Sequence, residues 1–377
     1  MSNHPNYLKE LKKKCTSNSE YFKAISKFAT VLIRNKLPII LSVEHLSRLS
    51  GVPHSEIQSI LNGSDLYRVF PIRKKSGGKR WIAAPAPTLM RLQKWISKNI
   101  LYSNYSQRLI STDATAYLSK INHLENADRH WHNSELVKID ITRFFESISV
   151  RQVYYVFREL GYSAYISFVL SKICTRVINR DARAFHHELR WLQKDGKVLG
   201  HLPQGAPTSP MLANLVCINL DKKLSNIAIE NELIYTRYAD DIVFSGDMGK
   251  EYAKKLISQV SRELRNYGFK VNSQKTKYCS IGSRKIITGI CINDGESLRV
   301  PKVYKDKIRQ ELYYIKKLGY EKHCRNLNIK HPLNYLLRLE GRIKYVEKVE
   351  PITGKIFMNI FSQTMPQFES IKALSKF

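Results

Sequence analysis

The spacing of apolar residues changes period repeatedly along this chain, and each change marks an element. In "SVEHLSRLSGVPHSEIQSIL", Val43, Leu46 and Leu49 recur at helical spacing, a Gly-Val-Pro turn interrupts, and Ile57, Ile60 and Leu61 resume the pattern. The spacing predicts a helix-turn-helix-like pair, either a helical cap on the next domain or a nucleic-acid contact. "YRVFPIRKKSGGKRWIAAP" alternates on both sides of Ser76-Gly77-Gly78 and predicts a β-hairpin whose basic tip carries Lys74, Lys75, Lys79 and Arg80. Leu89, Leu92, Ile96 and Ile100 then form a core-facing helical stripe. "LVKIDITRFFESIS" is apolar as far as Asp140 and polar and aromatic beyond it, the pattern of a buried strand delivering a side chain at its end. "LIYTRYADDIVFSG" sets Asp240 and Asp241 between two runs of β-branched and aromatic residues, a second hairpin. Tyr252, Leu256, Val260 and Leu264 predict a core helix stopped near Gly268. Short strands are expected at "KIITGICI" and "SLRVP", a polar surface insertion over 178–200, and mainly basic helices from Lys302 onward. The order of elements predicts an α+β fold with helical attachments.

Charge changes the picture more than overall composition does. Lys and Arg number 62 against 32 Asp and Glu, a net +30, spread from Lys9 to Lys376. Such a surplus points to an extended polyanion whose counterions are released on binding, with nucleic acid in the lead; a solvated basic surface or a membrane-facing patch is the alternative. The six cysteines lie far apart with no C-x-x-C pair, which argues against a zinc site or a disulfide framework and for reduced, mostly buried thiols. No apolar segment follows the N-terminal lysines, and Arg34, Asn35 and Lys36 interrupt "FATVLIRNKLPIILSV" before it is long enough to span a bilayer. A cytoplasmic protein with no membrane partner is expected. His186 and His187 lack companions at metal-ligand spacing.

In so basic a chain, two adjacent acids at a hairpin tip need a reason. Adjacent carboxylates repel one another, and cations make the arrangement tolerable. Asp140, Asp240 and Asp241 offer hard oxygen ligands from two strand ends, a set suited to Mg²⁺. Two such ions clamp the attacking and leaving oxygens of an in-line phosphoryl displacement. Lys79 and Arg80 at the first hairpin then suit a triphosphate.

With these residues in view the sequence resembles the reverse transcriptases over most of its length. "VKIDITRFF", "LPQGAPTSP" and "YADD" match that family's motifs in the expected order. The resemblance implies a right-hand polymerase fold with fingers, an antiparallel palm and a helical thumb, and RNA-directed DNA synthesis from deoxynucleoside triphosphates. It implies Asp140, Asp240 and Asp241 as catalytic metal ligands for two Mg²⁺ and Gln204 as a nucleotide contact. Lys275 in "NSQKTK" would act on the leaving phosphate, and Phe145 would exclude a 2′-hydroxyl. "NADRH" (Asn126 to His130) and "ITG" (Ile287 to Gly289) resemble two elements of the bacterial retron branch. That branch implies a cognate structured non-coding RNA bound by residues such as Asn126 and His130. It further implies priming from a guanosine 2′-hydroxyl, a short branched single-stranded DNA (msDNA) as product, and an effector protein in antiphage defence. Arg325, Lys330, Arg338, Arg342 and Lys344 in the basic C-terminal region are the expected contacts to RNA stem-loops. The expected division is an N-terminal helical region (1–65), fingers (66–139), a palm (140–290, with the 178–200 insertion) and a small sheet with a basic helical thumb (291–377). Another defence-associated or group II-like reverse transcriptase, or a catalytically silent RNA-binding scaffold, are the competing readings.

Overall fold

The computed structural model describes residues 20–63, 65–73, 77–119, 121–177, 193–194, 197–198, 200–293, 297–365 and 368. Three helices open the described chain: α1 (Glu20–Arg34), α2 (Val43–Ser50) and α3 (His54–Leu61). The Ser42 hydroxyl caps α2 by accepting from the His45 amide, and Gly51 closes it with φ 67, so the predicted helical pair forms where its apolar spacing put it. Strands β1 (Tyr67–Arg73) and β2 (Lys79–Pro85) pair antiparallel from Tyr67↔Pro85 to Arg73↔Lys79. Lys74, Lys75 and Ser76 at the tip lie outside the described residues. Helices α4 (Pro87–Ile96), α5 (Asn104–Leu109) and α6 (His123–Asp128) lead into strand β3 (Leu136–Thr142).

Helices α7 (Val150–Glu159) and α8 (Ala164–Cys174) follow, α7 opening on a reciprocal Ser149–Gln152 capping box. Most of the expected insertion, including His186 and His187, lies outside the described residues; within it β4 (Gln193–Lys194) pairs with β5 (Lys197–Val198). Helices α9 (Ser209–Val216) and α10 (Ile218–Glu230) precede the hairpin of β6 (Ile234–Tyr238) and β7 (Asp241–Ser245). Helix α11 (Gly249–Asn266) buries Leu256, Val260 and Leu264 as its spacing predicts. Strands β8 (Lys270–Val271), β9 (Lys277–Cys279), β10 (Ile286–Ile287) and β11 (Ile290–Cys291) come next. At "SLRVP" the expected strand is present among the described residues as one bridge, Cys291 to Arg299. Four helices end the described chain: α12 (Lys302–Leu318), α13 (Tyr320–Asn326), α14 (Pro332–Val349) and α15 (Pro351–Thr364).

The central antiparallel sheet runs β6-β7-β3, with β9 and β8 sharing the far edge of β3. β9 pairs with its first half (Leu136↔Cys279) and β8 with its last residues (Ile141↔Val271). The main core joins this sheet to the N-terminal helices through fully buried side chains such as Leu32, Leu92, Phe157 and Phe244. A second core fills the C-terminal helices around Leu336, Leu339, Ile343 and Phe361. Each fully buried large apolar side chain contributes roughly 1.5–3 kcal/mol toward the entropy of ordering these segments. Among the described residues no helix is long and apolar enough to cross a membrane. The described cysteines are free, and all but the half-buried Cys291 are buried.

Candidate active site

Strand pairing gathers the three acids that the sequence separates. Asp140 on β3 is the register partner of Asp241 on β7, with Ile139 opposite Ile242 behind them. Asp240 occupies the turn between β6 and β7, where its neighbour Ala239 holds φ 58, a left-handed conformation that non-glycine residues adopt only when their surroundings impose it. Tyr238 pairs with Asp241, so Ala239 and Asp240 form a two-residue hairpin loop, which calls for a left-handed first residue, and Arg237 supports that turn from beneath. Its guanidinium is fully buried, donates from Nε and Nη2 to the two Asp221 oxygens at 2.7 and 2.6 Å, and reaches the Ala239 carbonyl at 3.3 Å. Burial opposes that charge, yet Asp221 holds the Arg237 pKa well above the ordinary arginine value.

The gap between β8 and β9 falls opposite Asp140, and the loop that fills it carries Asn272 to Thr276. Asn272 donates its backbone amide to the Asp140 carbonyl at 2.8 Å and its side-chain amide to Oδ2 at 3.2 Å. Lys275 Nζ donates to Asp140 Oδ1 at 2.8 Å, and Lys138 Nζ to Asp241 Oδ2 at 2.9 Å. The Asp140 hydrogen bond raises the Lys275 pKa. Asp240 is the acid without such a partner: burial first, then the Asp241 and Asp140 carboxylates, push its carboxyl above the usual aspartate range.

Do these residues suit a divalent ion? Among the described residues no three His, Cys, Asp or Glu side chains are gathered as a metal cluster, and two of the three acids hold lysines instead. The donor chemistry fits nonetheless. The three candidate ligands are all carboxylates, two on paired strands and one in the adjoining turn, and the raised carboxyl of Asp240 marks uncompensated negative charge that a hard cation neutralises.

The acids lie between two clefts. One, of about 410 Å³, is lined by Lys79, Arg80, Phe145, Gln204, Asp140, Asp240 and Lys275, so the structure brings together every residue expected at a nucleotide. The other, of about 590 Å³, includes Arg80, Lys138, Asp241 and Lys277. The loop bearing Gln204 is fixed to the first hairpin: Ala83 donates its amide to the Gln204 carbonyl at 2.8 Å. Gly205, at φ +122, permits that approach, because a Cβ there would stand 2.8 Å from the Ile82 methyl and 3.0 Å from the Ala83 carbonyl oxygen. Phe145 packs against Phe144 and Tyr117, ring centroids 5.5 and 6.3 Å away.

Sequence reading missed Tyr117, Arg143 and Trp81, which line the same cleft. Tyr117 and Arg143 have φ 64 and 51, left-handed turns that nothing in their local sequence announces. Asn272, which steadies Asp140, carried a signal in its place at a strand end beside Lys275.

Two expectations are corrected. Asn126 and His130, expected at the RNA, are 1% and 0% exposed. The His130 ring nitrogens lie 2.6 Å from Ser245 Oγ and 2.7 Å from Thr236 Oγ1, tying α6 to the back of the β6–β7 hairpin, while Asn126 Oδ1 accepts from Thr115. Burial pushes the His130 pKa down to about 3, so a neutral ring satisfies two hydroxyls inside the protein. Arg342 is likewise committed internally, its Nη1 donating to both Glu311 oxygens at 2.7 and 2.8 Å. Arg325, Lys330, Arg338 and Lys344 are exposed; Arg325 and Lys344 pair with Glu321 and Glu340 one helical turn away, and Arg338 lies over the Tyr335 ring.

Comparison with known proteins agrees with this geometry. The reverse transcriptase (RNA-dependent DNA polymerase) family matches residues 72–336. The retron Ec86 reverse transcriptase of Escherichia coli is 30% identical over 344 residues, covering 88% of this chain and 96% of its own length. The retron Mx162 reverse transcriptase of Myxococcus xanthus is 29% identical over 343 residues, 86% of this chain and 67% of that one. The retron Ec73 reverse transcriptase of Escherichia coli is 30% identical over 290 residues, 74% and 82% of the two chains. Membership carries a dependence on divalent metal, an RNA template and deoxynucleoside triphosphates as substrates. The chain belongs to the reverse transcriptase family, among the retron reverse transcriptases, and is an RNA-directed DNA polymerase.

Proposed function

We propose that this polymerase copies part of one cognate structured RNA into a short single-stranded DNA, starting from a guanosine 2′-hydroxyl of that RNA. The observation that carries the chemistry is the pairing of Asp140 with Asp241 beside Asp240, at the edge of a cleft that also holds Lys79, Arg80 and Gln204. Asp140, Asp240 and Asp241 would hold two Mg²⁺, which when bound supply activation of the priming hydroxyl and stabilisation of the departing pyrophosphate. Lys79 and Arg80 grip the triphosphate with cationic donors, and Gln204 contacts the nucleotide from the loop fixed to β2. Lys275, its ammonium held by Asp140, offers a proton to the leaving phosphate. Arg325, Lys330, Arg338 and Lys344 contact RNA phosphates and stems. The resemblance to the retron branch further implies that the product complex acts with an effector protein in antiphage defence.

The priming test is direct. With the structured RNA encoded beside the gene, Mg²⁺ and deoxynucleotides, the expected product is DNA joined to RNA through a 2′–5′ linkage that a debranching enzyme separates. DNA extended only from free 3′ ends would remove the retron-specific part of the proposal and leave the polymerase.

Sugar selection follows from the ring of Phe145 in the cleft, backed by Tyr117 and Phe144. The Phe145→Ala substitution is expected to reduce the preference for deoxy- over ribonucleotides by roughly tenfold or more, the scale of discrimination that pocket shape provides. Single-nucleotide incorporation with each triphosphate measures it, and an unchanged ratio would assign sugar selection to another residue.

A further inference from the structure

The two retron-like motifs stand far apart in sequence and meet in space. Thr288 and Gly289 form the turn of the β10–β11 hairpin, with φ 46 and 86, and Ile287 pairs with Ile290 across it. Thr288 Oγ1 donates to the carbonyl of His123 at 2.8 Å, across 165 positions of sequence and onto the first residue of α6. Ile287 and Ile290, both fully buried, share an apolar cluster with Ala127 of α6 and with Leu136 and Val243 of the sheet that carries the acids.

The C-terminal helices reach the same place. The His123 ring stacks on Tyr345 of α14, with centroids 5.7 Å apart and planes 21° apart. Tyr345 meets Tyr304 of α12 edge-on at 5.6 Å, and Tyr345 and Val349 pack on the apolar cluster of the ITG hairpin. Just beyond α6, His130 bonds to Thr236 and Ser245 of the β6–β7 hairpin. One short helix therefore touches the catalytic hairpin on one side and the thumb helices on the other.

We infer that Asn126–His130 and Ile287–Gly289 form a single joint that fixes the thumb relative to the catalytic hairpin. His123, Thr288 and Tyr345 are its positioning residues, and what they position is the template–primer duplex between additions. Among the described residues the linkage across the joint includes one side-chain hydrogen bond, one aromatic stack, the Lys348 charge near His123 and a small apolar cluster. Loosening it leaves Asp140, Asp240, Asp241 and Lys275 in place, so the chemistry of one addition survives. The grip on the duplex from one addition to the next does not.

The joint serves any template, so the test uses the full chain on poly(rA) primed with oligo(dT). A heparin trap limits each enzyme to one binding event. Tyr345→Leu is expected to reduce the nucleotides added per binding event by about three- to tenfold, the factor corresponding to loss of an aromatic pair. Thr288→Val, which keeps the branched shape and removes the hydroxyl, is expected to reduce it about threefold, on the scale of one hydrogen bond. The first-nucleotide rate should stay within about twofold of wild type in both, since neither change touches the acids. Tyr345→Phe retains the ring and should retain the product length. The double variant should fall short of the product of the two single effects, because both contacts are made to His123. Unchanged product length in Tyr345→Leu and Thr288→Val would overturn the inference. So would an equal loss in Tyr345→Phe, or a first-nucleotide rate that falls in parallel with length.

Discussion

Asp240→Asn is expected to lower DNA synthesis by on the order of a thousandfold, while RNA binding stays near wild type. Asparagine keeps the size of the side chain and most of its hydrogen bonding but removes the charge a divalent ion needs. Metal stabilisation of a phosphoryl transition state amounts to several kcal/mol, and each 1.36 kcal/mol is a factor of about ten in rate. Folding should not suffer. Asp240 is only half-buried, and its carboxyl is already raised by burial and by Asp241 and Asp140, so removing the charge relieves repulsion in the metal-free protein. A thermal midpoint at or slightly above wild type, together with lost primer extension, is the expected pair of results. Primer extension near the wild-type rate would remove Asp240 from the metal-binding set. The same variant thus separates a catalytic role from a structural one.

The largest expected effect on stability lies one layer beneath the acids. Asp221→Asn leaves the Arg237 guanidinium charged, fully buried and without its anion. Breaking a buried ion pair from one side costs about 3–5 kcal/mol, a large part of the roughly 5–15 kcal/mol that holds a domain folded. A drop in thermal midpoint of about 4–6 °C is expected, at about 1.3 °C per kcal/mol for a chain of 377 residues. Tyr235 and Asn214 bond to the same pair, at 2.8 Å to Asp221 and 3.2 Å to Arg237, and cannot replace the missing charge. The double change Asp221→Leu with Arg237→Met removes both charges and should recover much of the loss. It should not recover activity, because Arg237 also supports the Ala239 carbonyl beside the Asp240 turn. A midpoint within about 2 °C of wild type in Asp221→Asn would mean that Arg237 finds other compensation.

What the sequence determines by itself is local. Alternation on both sides of a glycine-rich tip was enough for β1 and β2, and helical spacing was enough for α2, α3 and α11, because side-chain period and turn chemistry act within a few residues. The acids were legible for the same reason, since two carboxylates between β-branched runs conflict with local preference unless something neutralises them.

The rest needed pairings between distant residues. Strand register decided that Asp140 faces Asp241, and one residue of slip in either strand would have put the two carboxylates on opposite faces of the sheet. A break between β8 and β9 decided that Lys275 and Asn272 reach Asp140, and the pairing of Tyr238 with Asp241 left a two-residue loop in which Ala239 turns left-handed. Asn126 and His130 show the difference most clearly. A polar side chain within a short motif reads equally well as a nucleic-acid contact or as an internal strut, because its hydrogen-bonding capacity is the same in both. Whether that capacity is spent on Thr115, Thr236 and Ser245 or on an RNA depends on which elements pack around it, and that is a property of the tertiary structure alone.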